Sequence, residues 1–159
     1  MSNMPDLQET LLSFQDAYAE GLIDLVPCSI HPEIKLHGDE VNGQTRLTYA
    51  RIDGETVKAI VVFLMVEPHK GKPCFQVGYA VAEQFRCQGI ATDTVKRSLN
   101  ELRQGSKRHT KNFYLEAIVA ADNIASRKVA ERVICPTGED ISDAFNGEPA
   151  LQFMQLVKC

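Results

Sequence analysis

A mixed α/β domain built on a mostly antiparallel sheet is the fold class this sequence predicts, and three observations carry the prediction. Ala59 to Val66 is an unbroken apolar run of strand length, and a strand without alternation is usually buried on both faces. Asp53-Gly54 just upstream is a tight-turn signal, so that strand pairs antiparallel with the one before it. Further on, an apolar strand, a glycine-bearing turn, a long amphipathic helix and a second strand follow one another. That order implies a parallel pair joined by a crossover, splayed or bulged at Gly78 and flanked by helices.

Asp6 to Leu22 reads as a helix, because Leu7, Leu11, Phe14, Tyr18 and Leu22 recur at three or four residues and Gly21 sits near the end. Ile23 to Gly43, with Pro27, Pro32 and Gly38, has no clear period and is expected as a short helix or a flexible lid. Arg46 to Ile52 alternates as a strand and Val57 to Val66 follows it; Glu67 to Pro73 is a loop, and Cys74 to Val81 is a third strand. Gly89 to Gln104 is the clearest helix, with Ala91, Val95, Leu99 and Leu102 in one stripe and Gly105 placed to end it. The polar, basic run Lys107 to Lys111 is a loop. Phe113 to Ala120 is a strand and Asn123 to Val133 a short helix. From Pro136 the tail reads as a hairpin around Asn146-Gly147, closing with an alternating strand from Ala150 to Val157. With no repeat or linker, residues 1–159 form one expected domain: a helical cap over 1–45, a core over 46–133 and a C-terminal hairpin over 136–159.

Composition narrows the function classes. The chain is 44% hydrophobic and 24% charged, with a formal net charge of −4, which argues against a nucleic-acid binder. No apolar run reaches the roughly 18 residues of a membrane span, and the N-terminus has no basic-then-apolar leader. Five cysteines without CxxC spacing and four scattered histidines predict neither a disulfide framework nor a metal site. A cytoplasmic location is the expectation, with homodimerisation left open.

The segment with chemical content is Phe75 to Val81, then Arg86-Cys87-Gln88-Gly89-Ile90-Ala91, then the helix. The first N–H groups of a helix lack intrahelical partners and carry the positive end of its dipole, so they form an anion site when side chains stay clear. Gly89 and Ala91 are small where a phosphate would approach, and Arg86 adds a fixed positive charge. No G-x-G-x-x-G follows a strand, and no phosphate loop ends in Gly-Lys-Ser/Thr.

In its context this R-x-x-G-x-A turn resembles the GNAT superfamily of N-acetyltransferases, in which the turn binds the pyrophosphate of coenzyme A. Val77-Gly78-Tyr79-Ala80-Val81 looks like the strand that precedes it. Asn123-Ile124-Ala125-Ser126 is similar to the family's later motif, most of all in the branch that acetylates ribosomal-protein and other N-termini. The resemblance covers roughly Arg46 to Val133. It implies the acyl-CoA N-acyltransferase fold and acetyl-CoA as co-substrate. Arg86, Cys87, Gln88, Gly89, Ile90, Ala91 and Thr92 would hold the pyrophosphate. Asn123 would position the pantetheine arm, and backbone N–H groups along Ala80 and Val81 would polarise the thioester carbonyl.

The chain also departs from the family pattern. The tyrosine that many members place seven residues after the asparagine, as acid for the departing thiolate, is Ala130 here, so Ser126 is the candidate for that role. Cys87 replaces the usual glycine after the arginine, and Ile134-Cys135 replaces Gly-Phe. Glu116, with Glu67 behind it, is the candidate to take the amine proton, and the acids Glu139, Asp140 and Asp143 could draw a cationic acceptor. The implied reaction is direct acetyl transfer to a primary amine, whether peptide N-terminus, amino acid or small molecule. The alternative is a module that binds acyl-CoA without turning it over.

Overall fold

A computed structural model describes residues 6–144 and 146–159. Residues 1–5 of the expected cap, and Phe145 in the C-terminal hairpin, lie outside the described residues. The element order is α1 (Leu7–Ala19), β1 (Val26–Pro27), β2 (Ile34–Val41), β3 (Gln44–Asp53), β4 (Thr56–His69) and β5 (Lys72–Val81). It continues through a 3-10 turn (Glu83–Phe85), α2 (Ile90–Ser106), β6 (Asn112–Ala120), α3 (Ile124–Val133), β7 (Glu139–Ser142) and β8 (Pro149–Lys158). Among the described residues the strands form one sheet in the order β1-β2-β3-β4-β5-β6-β8-β7, in which β5 and β6 run parallel and the other neighbours antiparallel.

β4 explains the architecture. Its odd residues Val61 and Phe63 belong to the larger core, under α2 and α3, together with Val95, Leu102, Phe113, Leu115, Val129 and Phe153. Its even residues Ile60 and Val62 belong to a second core with Leu11 and Phe14 of α1. Apolar side chains are required on both faces, so the run shows no alternation. α1 starts on Asp6, whose side chain accepts from Gln8 N–H at 2.9 Å, and ends before Gly21 at φ +71°.

Three expectations are corrected. Residues 34–41 are neither helix nor lid but a full strand, β2, turned back onto β3 through Asn42-Gly43, whose φ values are +51° and +79°. The polar residues on this strand hid it, since its pattern is only half-buried. Residues 67–73 are not an open loop: β4 runs to His69 and β5 begins at Lys72, with the turn confined to Lys70-Gly71. Gly105 does not end α2, which continues to Ser106.

Candidate active site

The turn after β5 is shaped by backbone conformation. Gly89 has φ +74° and caps α2, a conformation glycine takes without strain. A Cβ built there would meet no atom within 4 Å, so this face of the backbone is open. Asp93 N–H bonds back to Gly89 O at 3.2 Å, which leaves the N–H groups of Ile90, Ala91 and Thr92 as the unpaired first donors of a 17-residue helix. Cys87 also has a positive φ, +63°, at about 1–2 kcal/mol for a side-chain-bearing residue. Asp93, whose charge would oppose an anion, is engaged by two guanidinium groups: Arg51 Nη1 at 2.8 Å and Arg97 Nε at 3.0 Å. The Arg51 pair also ties the first turn of α2 to β3. Arg86 is exposed, and its Nε donates to Val81 O at 3.4 Å.

Beside this turn the sheet opens. β5 and β6 pair only at Cys74–Tyr114, Phe75–Leu115 and Gln76–Glu116, then diverge. Against β4, β5 keeps an unbroken register from Val66–Cys74 to Ala59–Val81, so no offset marks Gly78 and the opening is a divergence from β6. Ala82 N–H bonds to Lys58 O at 2.8 Å. Antiparallel pairing alternates, so the N–H of Ala80 also faces β4, while Val77, Tyr79 and Val81 turn their backbone groups toward the gap. The expected pair of donors at Ala80 and Val81 is therefore corrected to Val81, with Tyr79 and Val77 behind it. From the other side, Ala121 N–H bonds to Pro149 O, which by the same alternation turns Ile118 and Ala120 of β6 into the gap.

α3 forms the third wall. Asn123 Oδ1 accepts from Ser126 N–H at 3.2 Å, an N-cap, and its side-chain amide N–H₂ has no partner among the described residues. Tyr79 on β5 donates its hydroxyl to Ser126 O at 2.7 Å and fastens α3 to the strand. Burial pushes the Tyr79 hydroxyl up, so it stays neutral and acts as a hydrogen-bond donor.

A cleft of about 990 Å³ joins these parts. Ala80, Val81, Arg86, Cys87, Gly89, Ile90, Ala91, Thr92, Asn123 and Ser126 all line it. Gln88 is exposed and does not line it. The cleft is lined by residues from both faces of the sheet: Tyr79, Val119 and Val129 on the α3 side, Gln76 and Ile118 on the α1 side, and Leu7 of α1 itself. It passes through the sheet at the gap.

At its inner end the expectation for Glu116 changes. Glu116, the candidate to take the amine proton, is 6% exposed, beneath Gln76, which is 1% exposed and lines the cleft. Glu116 Oε1 accepts from Gln76 Nε2 at 3.3 Å, and Oε2 accepts from Gln152 Nε2 at 2.6 Å. Both oxygens are engaged and Glu116 does not line the cleft, so it stands behind Gln76. Glu67, Glu139 and Asp140 are exposed and line no part of the cleft. Gln76 and Tyr79 lie in the strand the sequence pointed to but were not among its candidate site side chains. The only signal for them was their place on alternate faces of the strand before the turn.

Among the described residues no group of three His, Cys, Asp or Glu could hold a metal ion, and no helix is long and apolar enough to cross a membrane. The open glycine backbone, three unpaired N–H groups and the adjacent Arg86 suit a diphosphate. The gap beside them offers unpaired strand groups to an amide-bearing arm.

Comparison with known proteins agrees with this geometry. The model of the acetyltransferase (GNAT) domain matches residues 36–133. Among solved structures, the chain resembles RimL, a ribosomal L7/L12 alpha-N-protein acetyltransferase in complex with coenzyme A (TM-score 0.55, 21% identity, 70% of this chain and 62% of that one). It also resembles the ribosomal-protein-S5-alanine acetyltransferase from Vibrio fischeri (TM-score 0.56, 12% identity, 94% and 70%). A spermidine N-acetyltransferase chimera from Vibrio cholerae SpeG and hSSAT is similar too (TM-score 0.54, 14% identity, 70% and 69%). At these identities the likeness is one of fold, and the chain spans 62% of the length of the RimL chain. No curated protein sequence matches. The family match takes in β3 to α3 with most of β2, the elements that supply most of the cleft lining, and the chain belongs to the GNAT acetyltransferase domain family.

Proposed function

We propose that this protein transfers the acetyl group of acetyl-CoA to a primary amine by direct attack. The observation that carries the reading is the through-sheet cleft, with an anion-binding turn at one mouth and a buried amide–carboxylate cluster at the other. When bound, acetyl-CoA supplies an activated acyl group. The chain's own residues do the rest. Arg86 and the N–H groups of Ile90 to Thr92 hold the diphosphate, and the amide of Asn123 and the open groups of Tyr79 and Ile118 hold the pantetheine arm. The Val81 N–H is aimed into the gap, where it can polarise a carbonyl. The Ser126 hydroxyl lines the same wall and can donate a hydrogen bond to the departing thiolate.

The acceptor enters from the α1 side, where Gln76 is held by Glu116. Glu116 is a positioning residue in this reading, and the amine proton leaves through water. A peptide or amino-acid amine is the favoured class, supported by the fold likeness to two ribosomal-protein acetyltransferases. Free thiol released from acetyl-CoA, measured against a panel of peptide N-termini, amino acids and polyamines, tests this. Turnover with a peptide or amino-acid amine is the expected result. Bound acetyl-CoA with no thiol release from any amine would mean that the chain binds the coenzyme without turning it over.

A further inference from the structure

We infer that the pole of the domain opposite the coenzyme turn is a docking surface for single-stranded RNA, held by its phosphates and by a base stacked at Tyr114. Residues 67–72, 103–112 and 158–159 meet there. They are the β4–β5 turn, the end of α2 with the basic loop after it, and the end of β8. Lys158 pairs with Asn112 at the start of β6, and Cys159 N–H donates to Lys111 O at 3.0 Å. Arg103 Nε donates to Lys158 O, also at 3.0 Å. The β4–β5 turn joins them through His69, whose ring stands edge-on to Tyr114 with centroids 4.7 Å apart. Burial raises the Cys159 thiol pKa, while Arg103 and Lys107 both pull it down, so the two cations lie within electrostatic reach of the chain's last strand.

These segments carry seven of the chain's 17 Lys and Arg but only one, Glu67, of its 21 Asp and Glu. Seven against one is a side-chain charge of +6, and the remaining ten against twenty make −10 for the rest of the chain. The net charge of −4 argues against nucleic acid only where charge is evenly spread, and here it is separated. The negative end of the α2 dipole accounts for Arg103 in its last turn. It does not account for Lys70, Lys72, Lys111 and Lys158, which lie outside the helix. An acidic protein would meet the same charge, but the sheet favours RNA. Tyr114 stands beside Cys74 of β5 and opposite Leu156 of β8, and strand alternation puts Lys72, Tyr114 and Lys158 on one face. Tyr114 and His69 are partly exposed and Lys158 is exposed. Aromatic rings flanked by cations suit the unpaired bases and phosphates of single-stranded RNA. The 17 residues of α2 put this pole about 25 Å from the turn at Gly89, and none of its residues lines the cleft. The surface is therefore independent of the proposed function.

Fluorescence anisotropy of the full chain with a labelled, unstructured 20-nucleotide RNA, with no coenzyme present, tests the inference. At about 0.15 M salt the wild type should bind with a Kd between about 1 and 100 µM. Log affinity should fall against log salt with a slope of about −3, the counterion release of four or five phosphate contacts. Arg108→Gln combined with Lys111→Gln removes two exposed cations outside the helix. That variant should bind about tenfold more weakly, with the slope flattened by about 1.4. Lys35→Gln combined with Lys96→Gln removes the same charge away from the pole and should change affinity less than about twofold. Tyr114→Leu keeps apolar bulk and should lose about tenfold with the slope unchanged. Unchanged thermal melting confirms that each variant is folded. A wild-type Kd weaker than about 100 µM overturns the inference. So does equal loss in the two double variants, or undiminished binding by Tyr114→Leu. A 20-residue polyglutamate bound as tightly as the RNA overturns it too, and assigns the surface to an acidic protein instead.

Discussion

The two ends of the cleft are built by different means. The outer end is local: from Arg86 to Thr92, a left-handed glycine and the start of one helix expose unpaired N–H groups within seven consecutive residues. The inner end is assembled at long range. Gln76, Glu116 and Gln152 come from three strands that meet only because β5, β6 and β8 are neighbours in the sheet. An anion site made of backbone needs only that side chains stay away, whereas a side-chain cluster needs the whole sheet in register. The outer end therefore tolerates sequence drift that the inner end does not.

The largest expected effect tests the outer end. Gly89→Glu should cut affinity for coenzyme A by more than about 100-fold in calorimetry, since it puts a negative side chain and a strained φ at the anion site. Gly89→Ala should lose only a few-fold, because there is open space for a Cβ. If both substitutions are silent, the turn does not hold the coenzyme. Next comes the inner end. Glu116→Gln should lower kcat about tenfold with coenzyme A affinity unchanged, as expected of a group that orients Gln76. A fall of 10²–10⁴ would instead mark general-base catalysis.

Asn123 sits between the two ends and separates its own two roles. Asn123→Ala should cost about 1 kcal/mol of stability as a lost helix cap, plus coenzyme affinity. Asn123→Asp should keep the cap while still losing affinity, since only the amide N–H₂ is removed. Thermal melting and calorimetry read these independently.

The smallest effect serves as a control at a distance. The Arg46 guanidinium, hydrogen-bonded to both oxygens of Asp39, holds that carboxyl below its ordinary range. The folded pKa lies under the unfolded one, so this stability is present above the ordinary carboxylate pKa and lost as pH falls through the folded value. Asp39→Asn should cost no more than about 1 kcal/mol at neutral pH. The difference from wild type should close below about pH 4 in chemical denaturation, with coenzyme affinity unaffected throughout.

This contrast also explains what the sequence made legible. The turn, α2 and the asparagine cap of α3 could be read because each is a local pattern of small residues, charge and helical period. β2 could not, since its polar Lys35, Asp39 and Glu40 hide a strand whose burial comes from its neighbours. Glu116 was picked out as an ionisable residue, but its partners Gln76 and Gln152 are 40 and 36 positions away. Nor could the direction of the Ala80 and Val81 N–H groups be read from residue types. It depends on pairing with β4, fixed by one bond from Ala82 to Lys58.

The divergence of β5 from β6 has a mechanical consequence. Among the described residues, three pairs directly join the β1–β5 half of the sheet to the β6–β8 half along the strand edges; beyond them along that seam β5 and β6 diverge. A ligand arm laid between Val81 and Ile118 takes the place of a strand there, and the energy it gains by pairing is also energy that joins the two halves. The coenzyme is then a structural member of the fold while it is bound, and at 100 times its Kd it would raise unfolding stability by about 2.7 kcal/mol. Each turnover would remove and replace that member, so the seam is where slowed amide exchange should follow the coenzyme in and out.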